Sequence, residues 1–467
     1  MKKYTIIFML ICLVISSCGD DFTDLAPISN RNEANFYNTS DDFVTAINAS
    51  YSGLQNTGIY NRAYWAMFEM RSDNTDQGPD ATGLARQYTS INQFTEDPLN
   101  DIVDAAYSDS YTLIANCNVI LDRIDEAQNI ENDLKNRIIG EALFLRSLIY
   151  YHLAVAFGNI PLQLEPLSPG VEQTQVDATT IYNQLLSDLA TAENNLPISY
   201  SSGNVGRATK GAAATLLAKI QLTVGEDDNA ETTLRRIIGN YNYDLVADYS
   251  DLWGPANENN KESIFEVEFI SGGIRQGSFL TNEFSPSAIL QTGQGFGRNR
   301  PTETLVDAFE VNDLRLDPSL GTSWINENGD VVDQNYIRKY ESNPPTENDS
   351  DNNFVVFRYA DVLLMLAEAI GESTESYDLI NQVRTRAGLN DIDANTPGSF
   401  EDKLLKERQT ELAFENHRWP DLKRFGVVSE KLMEAESDVI NQGDIRNLFL
   451  IPQREMDINS NFVQNSN

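Results

Sequence analysis

The segment that most constrains the fold runs Glu141-Ala-Leu-Phe-Leu-Arg-Ser-Leu-Ile-Tyr-Tyr-His-Leu-Ala-Val-Ala-Phe157. A helix with this sequence is apolar on nearly every side, so other helices must surround it. Gly158 and Pro161 follow and end the helical pattern. The sequence therefore predicts a long core helix in a mostly α protein.

Three segments of the chain resemble one another. They are Gly140-Glu-Ala-Leu-Phe-Leu-Arg146, Gly211-Ala-Ala-Ala-Thr-Leu-Leu-Ala-Lys219 and Tyr359-Ala-Asp-Val-Leu-Leu-Met-Leu-Ala-Glu-Ala369. Each places small residues where a neighbouring helix would cross closely, and each has another helix-length segment beside it (178–195, 228–240 and 374–388). The pattern indicates stacked helical hairpins of the tetratricopeptide type, with an irregular period.

Two regions interrupt the helical pattern. Residues 57–100 are rich in Gly, Pro, Asn and Asp, and predict a long loop region with short helices. Residues 253–355 form a long mixed insertion, in which Ser263-Ile-Phe-Glu-Val-Glu-Phe269 alternates as a short strand does. We expect loops that carry function to lie in these regions.

The composition excludes several classes of partner. The chain has 467 residues, with 34 Lys and Arg against 70 Asp and Glu, which gives a net charge of −36. Phosphate recognition needs a basic surface, so nucleic acid is not an expected partner. The same acidity argues against side-chain docking on an anionic membrane. A hydrophobic content of 41% is enough for a sizeable core.

Residues 1–17 have the pattern of a bacterial lipoprotein signal peptide. Lys2 and Lys3 precede an apolar stretch that is too short to span a bilayer as a mature helix. Small residues then lead to Cys18, which we expect to be acylated and to become the new N-terminus. Residues 18–39 would form an acidic tether. An ordinary secretory signal with a chance cysteine is the alternative.

Cysteine and histidine are too few for most metal or disulfide chemistry. Once Cys12 leaves with the signal and Cys18 carries lipid, Cys117 is the remaining cysteine, and its apolar surroundings predict an inert core residue. With His152 and His417 as the two histidines, a zinc site of the usual ligand types is not expected. Asp73, Asp76 and Asp80 could suggest calcium, but they lack the twelve-residue loop and fit turns better. We predict no metal and no cofactor.

Six short motifs occur in order along the mature chain. They are Cys18-Gly-Asp-Asp-Phe-Thr-Asp-Leu-Ala-Pro27; Ala142-Leu-Phe-Leu-Arg146 with Phe157-Gly-Asn-Ile-Pro161; Arg358-Tyr-Ala-Asp-Val-Leu-Leu-Met-Leu-Ala-Glu-Ala369; Asn381-Gln-Val-Arg-Thr-Arg-Ala-Gly388; His417-Arg-Trp-Pro-Asp-Leu422 with the preceding Glu407-Arg408, Glu411-Leu412 and Phe414-Glu415; and Leu450-Ile-Pro-Gln-Arg-Glu455 with Gln464-Asn465. In this order they resemble the SusD/RagB family of Bacteroidetes surface lipoproteins. Pro420 stands where an aromatic residue is commoner in that family.

The resemblance implies a SusD-like fold in a single domain over residues 40–467. Four tetratricopeptide-type hairpins would form the scaffold, and a loop-rich half with few short strands would carry the ligand site. It also implies a lipoprotein anchored in the outer membrane and facing the cell exterior, with Gly19-Asp20-Asp21 as the export signal. Its partners would be a polysaccharide or oligosaccharide and a SusC-like TonB-dependent transporter.

The resemblance assigns the charged residues of these motifs to the scaffold rather than to ligand. Arg358, Asp361, Arg384, Arg408 and Asp421 are interpreted as buried ion pairs or helix-packing residues. Trp253 and Trp419 lie beside scaffold helices and are expected to be packed.

No catalytic motif is present in the sequence, so we predict a non-catalytic protein. Serine-hydrolase elbows, P-loops, zinc-protease motifs and dinucleotide fingerprints are all missing. Glu407 and Glu411 would share one helix face, but they fall within a scaffold motif and are a weak glycosidase pair. Two alternatives remain open: a receptor for peptides or glycoprotein glycans, and a glycoside hydrolase.

A glycan site needs aromatic platforms beside planar polar side chains, and two loop regions contain both. The candidates in the first region are Tyr64, Trp65, Arg71, Asp73, Asn74, Arg86 and Tyr88, and those in the second are Phe279, Arg298, Arg300 and Trp324, with Phe284 and Phe296 nearby.

The second region is basic against an acidic background. Residues 270–302 contain Arg275, Arg298 and Arg300 against the single acid Glu283. Guanidinium groups match carboxylate and sulfate in bidentate fashion. This island suggests an anionic polysaccharide such as a uronic-acid polymer, with a neutral glucan as the alternative.

Overall fold

The structure is a computed structural model that describes residues 36–78, 83, 85–127, 130–168, 170–201, 203–435 and 445–466. The predicted signal peptide, Cys18 and residues 18–35 of the tether lie outside these residues. So does Asp80 of the alternative calcium cluster.

Helices dominate the described chain. They are α1 (Ser40–Gly53), α2 (Ala63–Phe68), α3 (Arg86–Asn92), α4 (Asp101–Arg123), α5 (Asn132–Phe157), α6 (Ala178–Asn195), α7 (Lys210–Thr223), α8 (Asp227–Asn240), α9 (Leu280–Phe284), α10 (Glu303–Ala308), α11 (Leu316–Ser319), α12 (Tyr359–Ile370), α13 (Thr374–Arg386), α14 (Phe400–Glu411), α15 (Arg418–Arg424), α16 (Val428–Glu434) and α17 (Gln453–Ile458). The predicted mostly α class is confirmed.

The strands are short and pair in twos. They are β1 (Thr75–Asp76), β2 (Ile160–Pro161), β3 (Gln175–Val176), β4 (Ser263–Val267), β5 (Arg300–Pro301), β6 (Leu320–Ile325), β7 (Val331–Ile337) and β8 (Phe354–Arg358). The antiparallel pairs are β1–β5, β2–β3, β4–β8 and β6–β7. The strand predicted from residue 263 is therefore present. The β1–β5 pair joins the first loop region to the second.

The sequence-encoded signals set the helix ends. Thr39 caps α1 in a capping box with Asp42, which satisfies backbone N–H groups at the helix start. Gly158 ends α5 with φ +69°, a conformation that favours glycine.

Consecutive helices α4 to α8 pack side by side, and α12 and α13 extend the array from α8. Gly140 allows close packing, because a Cβ there would lie 2.8 Å from Leu196 Cγ. Gly211 instead faces the Tyr243 ring after α8. Gly140 therefore lies against the end of a neighbouring helix, as predicted. Gly211 lies against a side chain from the segment that follows α8.

The long apolar helix α5 is the core element. It is long and apolar enough to cross a membrane, but 94% of its most apolar window is buried inside the protein. Its residues 140–157 are buried without exception. Cys117 of α4 is also buried, and burial raises the pKa of its thiol to about 12, as expected of an inert core cysteine.

The predicted scaffold charges form a buried ion-pair network. Arg358 contacts Glu262, Glu411 and Glu415. The other pairs are Arg384 with Glu407, Arg408 with Asp361 and Asp421, and Lys219 with Asp361. Their interpretation as buried ion pairs is confirmed. Such a network holds distant segments in register, because each unpaired charge inside a protein is costly.

Candidate functional site

Six candidates from the first loop region lie in the core. Tyr64, Trp65, Arg71, Asp73, Asn74 and Tyr88 are each at most 5% exposed. We therefore remove them from the set of residues that contact ligand. The aromatic side chains fold inward because α2 packs against α4 and buries both faces of this short segment.

Each of these buried residues has partners inside the protein. Tyr64 Oη lies 2.9 Å from Ser110 Oγ. Arg71 pairs with Glu96 at 2.7 Å, and burial lowers its pKa to about 10. Asp73 accepts two hydrogen bonds from Arg418, and Asn74 Oδ1 accepts one from Gln409. These contacts tie the loop to the C-terminal helices α14 and α15.

Asp73 is therefore a scaffold ion-pair residue. No cluster of three or more potential metal ligands occurs among the described residues.

Four planar groups from both loop regions form one stack. Trp65 lies parallel to Tyr88, with ring centroids 5.4 Å apart. The guanidinium of Arg298 lies 4.6 Å from the Tyr88 ring and 4.4 Å from the Phe296 ring. Phe296 is 45% exposed and caps the stack. The stack thus presents one aromatic face to solvent on a rigid base.

Arg298 is also held by an ion pair. Its Nη1 lies 2.5 Å from Glu283 Oε2, and Glu283 is buried. Burial raises the pKa of Tyr88 and of Glu283, and the guanidinium of Arg298 opposes both shifts. The positive charge of Arg298 is therefore neutralised within the stack.

The remaining candidates are Arg300, Arg86 and Trp324. Arg300 donates from Nη2 to the Gln77 carbonyl at 2.9 Å, directly over Gly78, where a Cβ would collide with it. Arg86 is exposed on α3. Trp324 lies half-buried on β6, with its indole nitrogen unpartnered among the described residues. The structure does not gather these three with Phe279.

Phe279 lines an open cleft of about 630 Å³, which we call the Phe279 cleft. Its other lining residues come from the turn after α1, from α4 and from two insertion loops: Gln55, Asn56, Thr57, Asn61, Asp109, Gly273, Arg275, Gly277, Thr346, Glu347, Asn348 and Asp349. The volume is within the range of small-ligand sites. A half-buried aromatic ring among amide and hydroxyl side chains can stack on a sugar face and bind its hydroxyls.

Local contacts fix the walls of this cleft. Asn61 Oδ1 accepts the Phe279 N–H at 2.7 Å, which positions the ring. Gly58 donates its N–H to Asp109 Oδ2 at 3.0 Å. Asp349 Oδ2 accepts the N–H groups of Gly272 and Gly273, which holds the insertion loop.

The cleft lining is acidic overall. Asp109, Glu347 and Asp349 oppose Arg275, which makes no ion pair with any residue that the structure describes. Burial raises the pKa of Asp109, and hydrogen bonding from Gly58 opposes that shift.

Of the cleft lining, sequence reasoning named only Phe279 and Arg275; it missed the other lining residues, Asn61 among them, and Arg62 nearby. Asn61 orients Phe279, and Arg62 brings a half-buried guanidinium whose Nε is unpartnered among the described residues. Both follow α1 in a polar stretch that resembles an ordinary loop. Asn61 and Phe279 are 218 residues apart in the chain, so no local signal marks their contact.

Glu407 and Glu411, the weak glycosidase pair of the sequence, both take part in ion pairs of the scaffold. Arg315 contacts both Glu407 and Glu411. Burial would raise the pKa of Glu411, but Arg386, Arg358 and Arg315 hold it well below the usual range. Both carboxylates are buried, so neither is open to a sugar.

Two family models match this chain. One, described as the SusD family, matches residues 318–467, and the other, described as starch-binding associating with outer membrane, matches residues 21–222. Among curated proteins, the SusD-like protein P2 of Formosa agariphila is 27% identical over 512 aligned positions, which cover 100% of this chain and 99% of the relative.

Solved structures agree with these matches. A SusD superfamily protein from Bacteroides vulgatus is 27% identical with a TM-score of 0.77, and a laminarin-binding SusD-like protein is 26% identical with a TM-score of 0.80. In each case the match covers 92% of this chain and 99% of the other. The surface glycan-binding protein A of Bacteroides thetaiotaomicron, solved with laminarihexaose, has the same fold at 22% identity and a TM-score of 0.79. The helical array, the loop-borne clefts and these matches together place the chain in the SusD/RagB family.

Proposed function

We propose that this protein is a non-catalytic glycan receptor of the outer membrane, with its ligand in the Phe279 cleft. The observation that carries the proposal is the cleft itself, where an aromatic ring held by Asn61 stands among amide and hydroxyl groups. This combination suits a sugar chain, which presents apolar faces and hydroxyl edges. The family description of starch binding at the outer membrane supports the same role.

We further propose that the ligand is a neutral glucan of the laminarin kind. The anionic polysaccharide suggested by the sequence depends on three arginines, but Arg298 is paired with Glu283, and Arg300 lies near Asp76 and the Gln77 carbonyl. Arg275 alone faces three acids in the cleft. The laminarin-binding protein of similar structure supports the neutral class.

Affinity electrophoresis tests both parts of the proposal. We expect gels containing laminarin to retard the purified protein, and gels containing alginate, pectin or sulfated glycans to leave its mobility unchanged. Retardation by an anionic glycan that Arg275→Gln abolishes would favour the anionic alternative. Incubation with laminarin oligosaccharides should release no shorter products; turnover would favour the hydrolase instead.

The anchor and the transporter partner are further parts of the proposal. An acyl chain on Cys18 would supply the membrane attachment that the acidic surface does not, since each buried methylene contributes about 0.8 kcal/mol. The receptor would then pass oligosaccharide to a SusC-like TonB-dependent transporter.

Tagged wild type should fractionate with the outer membrane and co-purify with a SusC-like transporter of the same cells. Cys18→Ala should appear in the soluble fraction. Membrane fractionation of both proteins measures this, and equal membrane retention of the variant would contradict the anchor.

A further inference from the structure

A second cleft lies directly beside the Phe279 cleft. Its volume is about 460 Å³, and we call it the Tyr51 cleft. It is lined by Asn48, Tyr51 and Ser52 of α1, by Leu54 and Gln55 just after that helix, by the loop from Gly203 to Arg207, by the end of β4 and by Gln276. Gln55 lines both clefts, and Gln276 lies between Arg275 and Gly277 of the first. The two clefts therefore share the Gln55 side chain, and they meet again at the segment around Gln276.

The shared boundary is fixed by hydrogen bonds. Gln55 Nε2 donates to the Glu268 carbonyl at 2.7 Å, which ties the turn after α1 to the residue that follows β4. Ile270 and Gln276 pair across the base of the insertion loop. Both clefts are open to solvent.

The Tyr51 cleft has a prepared polar lining. Arg207 donates to Glu141, which is completely buried, and to Asn204 at 2.9 Å, and its guanidinium lies 5.5 Å from the Tyr51 ring. The Tyr51 hydroxyl accepts the Ala208 N–H at 2.9 Å. These side chains are ordered before any ligand binds, which lowers the entropic cost of binding.

Other groups in the Tyr51 cleft remain available. Within the described part of the chain, the side chains of Ser52 and Gln276 have no hydrogen-bond partner, and Val205 is 53% exposed. Hydroxyl, amide and aliphatic groups together suit a neutral sugar. Glu266 and Glu268 on the same lining disfavour an anionic one.

We propose that the Tyr51 cleft is an extension site that binds further residues of the same glucan chain that occupies the Phe279 cleft. This inference rests on the proposed glycan-receptor function. It makes the ligand class more specific: a chain long enough to cross Gln55 binds more tightly than one that fills the Phe279 cleft alone. The protein would thus select extended oligosaccharides.

Ser52→Arg tests this inference, because it places a long side chain in the Tyr51 cleft. Ser52 is exposed, and its own side chain makes no hydrogen bond within the described chain. Ala49→Arg is its matched control, with the same charge change at an exposed position on the same helix outside both clefts. Calorimetric titration would use the laminarin series from the disaccharide to the hexasaccharide. A second variant, Gln276→Ala, removes a ligand-facing amide instead of adding bulk.

For wild type and Ala49→Arg, we expect affinity to rise with chain length up to the longest oligosaccharide. Ser52→Arg should bind laminarihexaose about tenfold more weakly, as expected from the loss of one or two hydrogen-bonded contacts, and should match wild type for the shortest binding ligand. Gln276→Ala should weaken binding in the same length-dependent way. Identical length profiles in all four proteins would overturn the extension site while the receptor function stands. Failure of wild type to bind any member of the series would overturn both.

Discussion

Glu69 is a carboxyl group with no exposed surface in a protein that carries many surface acids. Its Oε1 accepts the Asn416 N–H at 2.6 Å, and Lys339, nearby, pairs with Glu415 instead. Burial raises the pKa of Glu69 to about 8, with hydrogen bonding from Asn416 opposing the shift. The side chain is therefore protonated over most of the neutral range, and it accepts a hydrogen bond without a charge.

This raised pKa predicts a pH-dependent stability. A group that binds its proton more tightly in the folded state stabilises the fold fully below its unfolded pKa, and that contribution is lost as pH rises. For Glu69 the window runs from 4.5 to about 8. Relative to Glu69→Gln, wild type should lose up to about 1.4 kcal/mol of unfolding free energy for each pH unit in that window. Urea unfolding at several pH values measures it, and parallel profiles for the two proteins would contradict it.

At the scale of elements, the candidate site depends on where α4 meets the turn after α1. Gly58 lies against α4 so closely that a Cβ would stand 2.3 Å from the Ala105 carbonyl oxygen. The same turn supplies Asn56, Thr57 and Asn61 to the Phe279 cleft. Packing at one glycine therefore sets the shape of the Phe279 cleft.

Gly58→Ala should displace this turn and weaken glycan binding together with stability. We expect a loss of about 1–3 kcal/mol, which is typical of overpacking, and a measurable drop in laminarin affinity. Gly239→Ala on α8 is the control, because among the described residues nothing beyond its chain neighbours and the helix's own backbone lies within 4 Å of a Cβ there. It should stabilise the helix by about 0.5–1 kcal/mol. Thermal melts and affinity gels measure both; unchanged binding by Gly58→Ala would contradict the link between this turn and the cleft.

Helices with a periodic apolar pattern could be predicted from the sequence. Whether a loop side chain is buried or exposed could not. The burial of α5 follows from its own residues, and the capping box at Thr39 is local. The burial of Asp73 depends on Arg418, which lies 345 residues away. Aromatic residues in a loop-like stretch do not reveal whether they pack inward, as Trp65 does, or face solvent, as Phe296 does.

At the scale of the whole molecule, the helical array holds loops from both halves of the chain against each other. The β1–β5 pair and the Tyr88–Arg298–Phe296 stack join residues more than 200 positions apart. The family and the fold could be recognised from motifs along the chain. The position of the cleft could not, because it forms only where α1, α4 and two insertion loops converge.

The acidic surface fits this arrangement. A net charge of −36 keeps the protein soluble and disfavours anionic polymers over most of its surface. Two of the three arginines in the basic island of the sequence are engaged by neighbouring groups, so this island is not a free basic surface. A neutral glucan is the ligand most compatible with both observations.

Calorimetric titration of laminarihexaose into wild type and Phe279→Ala tests the central claim most directly. Ile458→Ala serves as the control, since this side chain is 73% exposed and lies outside both clefts. We expect saturable binding by wild type and the control, and binding weaker by tenfold or more, about 1.4 kcal/mol, in Phe279→Ala, because the stacking platform is lost. Equal binding by all three proteins would place the glycan elsewhere and contradict the account.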